Sequence, residues 1–334
     1  MAMFDWEKVR TTNGAFLFYE EPPFEDQKQL KRFWGMEWGV SDEVGELKLV
    51  LVRRPQEEEI VCIKDGIYDE ETGWRYDPKG RWLWPCKDLP DLALMQDQHD
   101  GFVEKIRKEG IEVVNLDGDV PPGDGKHCMA CMSRDYAVAV KGGAMVCRMG
   151  LERRRGEEAL VARKLSELGM PILRTIHGTG VFEGGNFIIL NQETAIVGRG
   201  GLTNEEGERQ VEEVLNVLGM QLIRVPLPGQ DEHIDGRVGM VAKDLALVDT
   251  EHMTFDFLKM LKEMGIRVIP CDFEEPNMLV LHPGKILASH VMRPETKKAL
   301  EKEGIEVVIH EMRELSKALG GPRCSTCPLI REPA

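Results

Sequence analysis

Apolar residues recur along this chain in two alternating periods. The segments FVEKIRKEG, ALVARKLSELG, QVEEVLNVLG, FLKMLKEMG and KKALEKEG space them as one face of a helix requires. Each runs into a short β-branched stretch: EGIEVVNL from residue 109, LGMPILRT from 168, LGMQLIRV from 218, MGIRVIPC from 264 and EGIEVVIH from 303. In each, Gly110, Gly169, Gly219, Gly265 or Gly304 stands where a helix ends in the left-handed conformation. Extended runs precede the helices: LKLVLVRRP from 47, DYAVAVKGGAMVCRM from 135, NFIILNQETAIVG from 186, DLALVDT from 244 and NMLVLHPGKILASHV from 277. KGG and HPGK supply turn chemistry between strands. The unit is strand, turn, strand, helix, strand, repeated about five times at a loose period of about forty to sixty residues. Alternation alone predicts the α/β class. An open doubly wound sheet would also alternate, but it does not need one unit five times, nor a chain end (CSTCPLI) that again reads as a strand. The pattern predicts a closed, pseudo-fivefold ring of five ββαβ units, an α/β propeller.

Two stretches fall outside the repeat. Residues 1–43 form a proline- and aromatic-rich leader expected to pack on a single domain spanning 44–334. Residues 64–90 interrupt the first unit with a polar-aromatic loop. Such a loop either covers an active site or is a surface excursion that packs on itself.

Composition narrows the function classes. With 42% hydrophobic and 30% charged residues, the 334-residue chain reads as soluble and globular. No apolar run approaches a membrane span, and the start, MAMFDWEKVRTTNG, is no secretory signal. A formal net charge of −15 disfavours nucleic-acid or anionic-membrane partners and suits a small cationic substrate. Eight cysteines without an export signal predict reduced thiols and a cytoplasmic setting. Cys128/Cys131 and Cys324/Cys327 are C-x-x-C pairs, but they lie far further apart than a zinc ribbon allows, so no metal is expected. No glycine pattern fits a nucleotide, and no cofactor is expected. A dimer is the base-rate assembly.

Four short motifs fall where strands of different units begin or end: MSRD (Met132–Asp135), EGGN (Glu183–Asn186), HID (His233–Asp235) and GGPRCSTCPL (Gly320–Leu329). Ring-like α/β folds gather catalytic groups from several strand ends. Together the motifs offer a thiol, an imidazole and three carboxylates, enough for nucleophilic attack on a cationic carbon. Taken singly, each has a plainer reading: a turn at E-G-G, a surface histidine, a strand-initiating aspartate paired with Arg134, a buried structural thiol.

Taken together, EGG(D/N), H-x-D and a C-terminal G-G-x-x-C resemble the guanidine-modifying enzymes of the pentein fold. These are arginine deiminases, arginine dihydrolases, dimethylarginine dimethylaminohydrolases and amidinotransferases. The resemblance covers about residues 37–334, opening with WGVSDEVGELKLVLVRRP. It implies a five-bladed propeller and a cofactor-free cysteine hydrolase acting on arginine, an N-substituted arginine or another guanidino compound. It implies Cys324 as nucleophile, His233 and Glu183 as the proton-managing pair, and Asp135 and Asp235 as carboxylates clamping the guanidinium. The chemistry is consistent: a planar guanidinium matches carboxylates in bidentate geometry, and a free thiol needs cationic neighbours to ionise near neutrality. An amidinotransferase, passing the amidino group to an amine, shares the first half of this mechanism. A non-catalytic binding protein of the same fold is the rival from another class.

The chain departs from the family pattern in places. Where several arginine-specific relatives carry G-x-x-x-R-T, this one reads VGRGGLTNEE, with Leu202 at the arginine position. Arg199, or an arginine of ERRRGEE (Arg153, Arg154, Arg155), is then the candidate grip for a substrate carboxylate; the plainer reading of ERRRGEE is a solvated helix start. Asn186 stands where deiminases have an aspartate, making the site less negative. Asn13 and Asn204 are candidate polar contacts. Cys327 reads as a packing residue, and Cys128 and Cys131 as pocket-wall or core residues flanking the approach to Asp135.

Overall fold

The computed structural model describes residues 22–57, 66–76, 82–118, 129–228 and 233–334. Within these, helix α1 (Gln27–Trp34) leads into strands β1 (Gly39–Val40) and β2 (Glu46–Val52). A small antiparallel sheet follows, made of β3 (Ile67–Tyr68), β4 (Arg75–Tyr76) and β5 (Trp82–Trp84). Helix α2 (Leu92–Lys108) then delivers β6 (Glu112–Asn115) alongside β2 in parallel.

From there one pattern recurs. Strands β7 (Ala137–Val140) and β8 (Gly143–Val146) form a hairpin; α3 (Glu157–Leu168) crosses over, and β9 (Ile172–Thr175) pairs parallel to β8. The next sheet repeats this with β10 (Phe187–Asn191), β11 (Thr194–Arg199), α4 (Glu205–Val217) and β12 (Gln221–Pro226). So does the following one, with β13 (Val238–Ala242), β14 (Leu245–Val248), α5 (Phe255–Glu263) and β15 (Arg267–Pro270). The last full repeat has β16 (Leu279–His282), β17 (Lys285–Ser289), α6 (Pro294–Lys302) and β18 (Glu306–His310). After the short helix α7 (Arg313–Ser316), strand β19 (Cys327–Glu332) pairs antiparallel to β2 and parallel to β1. The C-terminal strand thus supplies the hairpin partner that the N-terminal unit lacks.

The five glycines that the repeat singles out all adopt left-handed φ: 79° at Gly110, 78° at Gly169, 71° at Gly219, 76° at Gly265 and 82° at Gly304. Each lets the chain leave its helix and turn into the parallel strand, a conformation that a side chain with Cβ resists. The hairpin strands are buried almost throughout, as crossover sheets covered by helices require.

Three apolar clusters join the sheets in sequence. The first links β2 and β19 to the β7–β9 and β10–β12 sheets. The second carries on from β10–β12 through β13–β15 to β16–β18. The third returns from β16 and β17 to β2 and α2, and holds Cys324. The leader is not merely laid on this core. Trp38 is fully buried, β1 is a strand of the first sheet, and the Glu43 carboxylate pairs with Arg323, 2.7 Å from its Nη1. Residues 1–21 of the expected leader, and Asn13 and Cys128 among the singled-out residues, lie outside the described residues. No helix among the described residues is long and apolar enough to cross a membrane.

Candidate active site

Each of the four repeated three-stranded sheets offers polar side chains from the segment just ahead of its first strand, and the four-stranded sheet does so ahead of β19. Asp135 precedes β7, Glu183 precedes β10, His233 and Asp235 precede β13, Glu274 and Asn277 precede β16, and Cys324 precedes β19. All but Glu183 and Asn277 line one cavity of about 640 Å³, a volume suited to a small organic ligand. Thr72, Trp74, Tyr76 and Pro85, from the loop that interrupts the first unit, form part of its wall, so this loop covers the site. Phe273, Met129, Met132 and Leu319 add apolar surface.

His233 sits between two carboxylates, its Nε2 3.0 Å from Glu183 Oε2 and its Nδ1 3.7 Å from Asp135 Oδ1. Burial works against an imidazolium here, but Asp135, Glu183 and Asp235 outweigh it and lift the pKa to about 10. The ring is therefore cationic near neutrality. Glu183 is fully buried, and its other oxygen accepts the Gly150 N–H at 2.7 Å. Solvent is thus not where Glu183 points: E-G-G does turn, but with its carboxylate buried against His233.

Arg154 binds this cluster together. Its Nη1 lies 2.8 Å from Asp135 Oδ2 and 3.6 Å from Glu183 Oε2; its Nε lies 3.0 Å from Glu157 Oε2; and its Nη2 donates to the Met129 carbonyl at 3.2 Å. The segment ERRRGEE is accordingly not a solvated face: Glu152–Arg154 forms a single 3₁₀ turn with Arg153 and Arg154 buried. Among the described residues, Asp135, Glu183 and His233 form one group with donor atoms within 4.8 Å of one another, the spacing of a metal site. The Arg154 guanidinium already supplies the positive charge there, so these residues do not call for an ion. Nor does the Cys324/Cys327 pair converge: Cys327 Sγ donates to the Ala137 carbonyl at 3.3 Å and belongs to a different apolar cluster from Cys324. Cys131 is buried in the same cluster as Cys324.

Asp135 Oδ1 and Asp235 Oδ2 are buried acceptors without a hydrogen bond. Arg323 Nε approaches Asp235 at 3.4 Å and is otherwise engaged by Glu43 and the Phe187 carbonyl. Burial pushes the Asp235 carboxyl up, with His233 and Arg323 opposing. Two inward-facing carboxylates with unused acceptors present what a planar, forked cation donates to.

The Cys324 sulfur is 3.0 Å from Asn277 Nδ2. Burial, reinforced by Asp235, Asp135 and Glu274, drives its pKa well above the ordinary thiol value, and Asn277 opposes this. These neighbours alone keep the sulfur a thiol.

Other candidates lie elsewhere. Arg199 is half-exposed on β11, bidentate to Glu208 at 3.0 and 2.8 Å, and does not line the cavity. A strand directs alternate side chains to opposite faces, and this one faces α4. Asn186 is buried behind the site, its Nδ2 donating to Thr203 Oγ1 at 3.0 Å. Asn204 caps α4 by accepting the Gly207 N–H at 2.9 Å. Leu202 is core, packed against Gly150.

Glu274 and Asn277 were not among the sequence candidates, although EEPN stands ahead of β16 as EGGN stands ahead of β10. That shared E-x-x-N was the signal. Glu274 and Leu319 are the two non-glycine residues with left-handed φ among the described residues (68° and 58°), and both line the cavity. Burial pushes the Glu274 carboxyl up to about 8, with Asn277 opposing and Asp235 adding to the rise.

Comparison with known proteins agrees with this geometry. A family model described as arginine deiminase matches residues 272–331, the stretch holding Glu274, Asn277 and Cys324. An N(G),N(G)-dimethylarginine dimethylaminohydrolase from Streptomyces coelicolor is 28% identical over 252 residues, 73% of this chain and 88% of that protein. Among solved structures, dimethylarginine dimethylaminohydrolase from Pseudomonas aeruginosa complexed with citrulline superposes with a TM-score of 0.67 at 18% identity, covering 85% of this chain and all of that one. Inosamine-phosphate amidinotransferase from Streptomyces griseus gives 0.67 at 16%, covering 89% and 97%. The fold these neighbours share is α/β, the pentein fold. The family-model match, the relatives and the shared fold thus make this chain similar to the guanidino-modifying enzymes of the pentein superfamily.

Proposed function

We propose that the protein is a cysteine-dependent hydrolase that attacks the guanidino carbon of arginine, an N-substituted arginine or a related guanidino compound. The observation that carries this reading is one cavity holding a thiol, an imidazolium and the unused acceptors of Asp135 and Asp235. A guanidinium clamped between these two carboxylates neutralises the charges that now oppose ionisation of Cys324, so binding itself promotes the thiolate. The thiolate adds to the guanidino carbon. His233 gives its proton to the departing nitrogen, and an amine or ammonia leaves, with a cationic amidino group bound to sulfur. Neutral His233 then takes a proton from water, hydroxide adds to the same carbon, and the C–S bond breaks. A ureido product, the thiolate and the imidazolium result; the remaining proton goes to the released amine. Glu183 holds the imidazole in place and stabilises its charge throughout. Asn186 supports the EGGN turn, and Arg154 anchors the carboxylates rather than gripping substrate.

We also take the five sheets as blades of one closed five-bladed ring. The clusters that join neighbouring sheets, and β19 completing the first sheet, support it. Residues 44–334 then act as one catalytic domain with the leader packed on it, in a reducing cytoplasm that keeps Cys324 active.

Incubating the protein with arginine, methylated arginines, agmatine and guanidino acids, with mass spectrometry of the products, tests the chemistry. Citrulline from arginine would mark a deiminase, ornithine a dihydrolase, and citrulline with a methylamine a dimethylaminohydrolase. Turnover that appears only when an amine acceptor is added would replace hydrolysis with amidino transfer. Conversion of none of these, with or without an acceptor, would overturn the enzyme reading.

The glycines of EGGN give a second prediction. A Cβ on Gly185 would stand 2.6 Å from His233 Nδ1 and 2.9 Å from Asp135 Oδ1. Gly185 has no left-handed φ, so alanine strains the imidazole's seat rather than the backbone. Gly185→Ala should lower kcat/KM by roughly 10²-fold, the effect of a displacement of about 1 Å at a reacting group. Kinetics alongside thermal denaturation checks this; unchanged kcat/KM would mean that His233 has room to shift.

A further inference from the structure

Asn277 is 2% exposed, does not line the cavity, and has every polar atom of its side chain engaged. Its Oδ1 accepts the backbone N–H of Arg323 at 3.1 Å and of Cys324 at 3.2 Å. Two backbone donors on one side settle which end of the amide is oxygen. Its Nδ2 therefore carries both hydrogens, one directed to Cys324 Sγ at 3.0 Å and the other to Glu274 Oε2 at 2.9 Å. The turn reaches Asn277 this closely because residue 321 is glycine: a Cβ there would stand 2.8 Å from the amide Cγ and Oδ1. One side chain thus grips both the backbone and the sulfur of the same residue, from a segment 47 residues away.

An N–H that donates to sulfur stabilises the thiolate over the thiol, because a hydrogen bond to a charged acceptor is about twice as strong as one to a neutral acceptor. The other groups around the sulfur divide by sign. Asp135, Asp235 and Glu274 oppose its negative charge, while Arg323 favours it. Asn277 is the neutral donor in this set. It acts equally before and after the substrate's cation arrives.

We propose that Asn277 is the positioning residue of the nucleophile: its amide, locked by the backbone of the Cys324 turn and steadied by Glu274, holds the sulfur in line with the cavity and donates to it as a thiolate. This rests on the reading of Cys324 as the nucleophile, and the test keeps the two apart. The rate at which iodoacetamide alkylates Cys324 is followed against pH by peptide mass spectrometry, in the wild type and in Asn277→Asp. Aspartate keeps the shape and the two backbone contacts but replaces the donor with an anion, which by itself raises a thiol's pKa, so Asn277→Ala, which removes the donor and adds no charge, is measured beside it. The midpoint of the alkylation profile should rise by about one pH unit or more, with a fall of about tenfold in rate near neutrality. In Asn277→Ala, a residue that merely packs would lower the melting temperature without moving that midpoint. If Asn277→Asp does not fold, Asn277→Ala carries the test alone. A folded variant with the wild-type midpoint and rate overturns the proposal and leaves the Cys324 chemistry standing. Turnover of substrate by Cys324→Ala would instead overturn the reading beneath it.

Discussion

Cys324→Ala should lower kcat/KM for the protein's guanidino substrate on the order of 10⁴-fold or more, the scale on which removal of a covalent nucleophile acts. The loss should fall on kcat. Asp135, Asp235 and the aromatic wall of Trp74 and Tyr76 are untouched by this substitution, so substrate should still bind. The fold should tolerate the change. The sulfur is a small buried group whose side-chain hydrogen-bond partner among the described residues is Asn277, and Asn277 keeps its contacts with Glu274 and the backbone. Product formation, calorimetric binding and a melting curve on the same preparation separate these claims. Equal turnover by the alanine variant and the wild type would end the thiol mechanism.

The largest effect on stability should come from Arg154→Met. Asp135, Glu157 and Glu183 are all buried, and the Arg154 guanidinium lies within 3.6 Å of a carboxylate oxygen of each. Methionine fills much of the volume and removes the charge. Breaking a buried ion pair from one side costs about 3–5 kcal/mol, because the remaining charges stay desolvated and uncompensated. Arg199→Met is the comparison: that guanidinium is half-exposed, and its partner Glu208 keeps a second arginine, Arg224, at 2.8 Å. Its cost should be about 0–1 kcal/mol, that of a surface pair. Urea denaturation of both variants measures the difference. Similar costs would mean that water reaches the Asp135–Glu183 cluster and screens it.

Much of this architecture is local in origin, and so was legible. A helix-period run, a glycine able to take left-handed φ and a β-branched run specify each crossover within some twenty residues, and a unit read five times reinforces itself. The candidate residues Asp135, Glu183, His233, Asp235 and Cys324 were legible for a related reason. Each stands just ahead of a first strand, so the repeat that places the strands also places them. Glu274 and Asn277 occupy the same position in their own unit, but E-E-P-N looks like an ordinary turn until it meets the Cys324 turn from across the core. The charge state of a buried group was not legible either. His233 is lifted to about 10 mainly by the carboxylates of Asp135 and Glu183, from far earlier in the chain, while Asp235 two residues on adds less.

Arginine was the hardest residue to read. Arg154 and Arg199 both stood near strand ends and both were candidate grips for a substrate carboxylate. Which face of its strand or turn each occupies, and which carboxylate lies opposite, decided their partners: Arg154 lines the cavity and Arg199 does not. Arg154 turns inward onto Asp135, while Arg199 turns toward α4 and Glu208. By itself the sequence determined the alternation of elements, the turns between them and the residue types brought to the strand starts, because these follow from backbone preference and periodicity over short spans. Only the tertiary structure decided which of those residues share a cavity, which guanidinium neutralises which carboxylate, and that Asn277 holds the sulfur. Contacts of this kind depend on distances between segments far apart in the chain, and burial then sets their strength by excluding water.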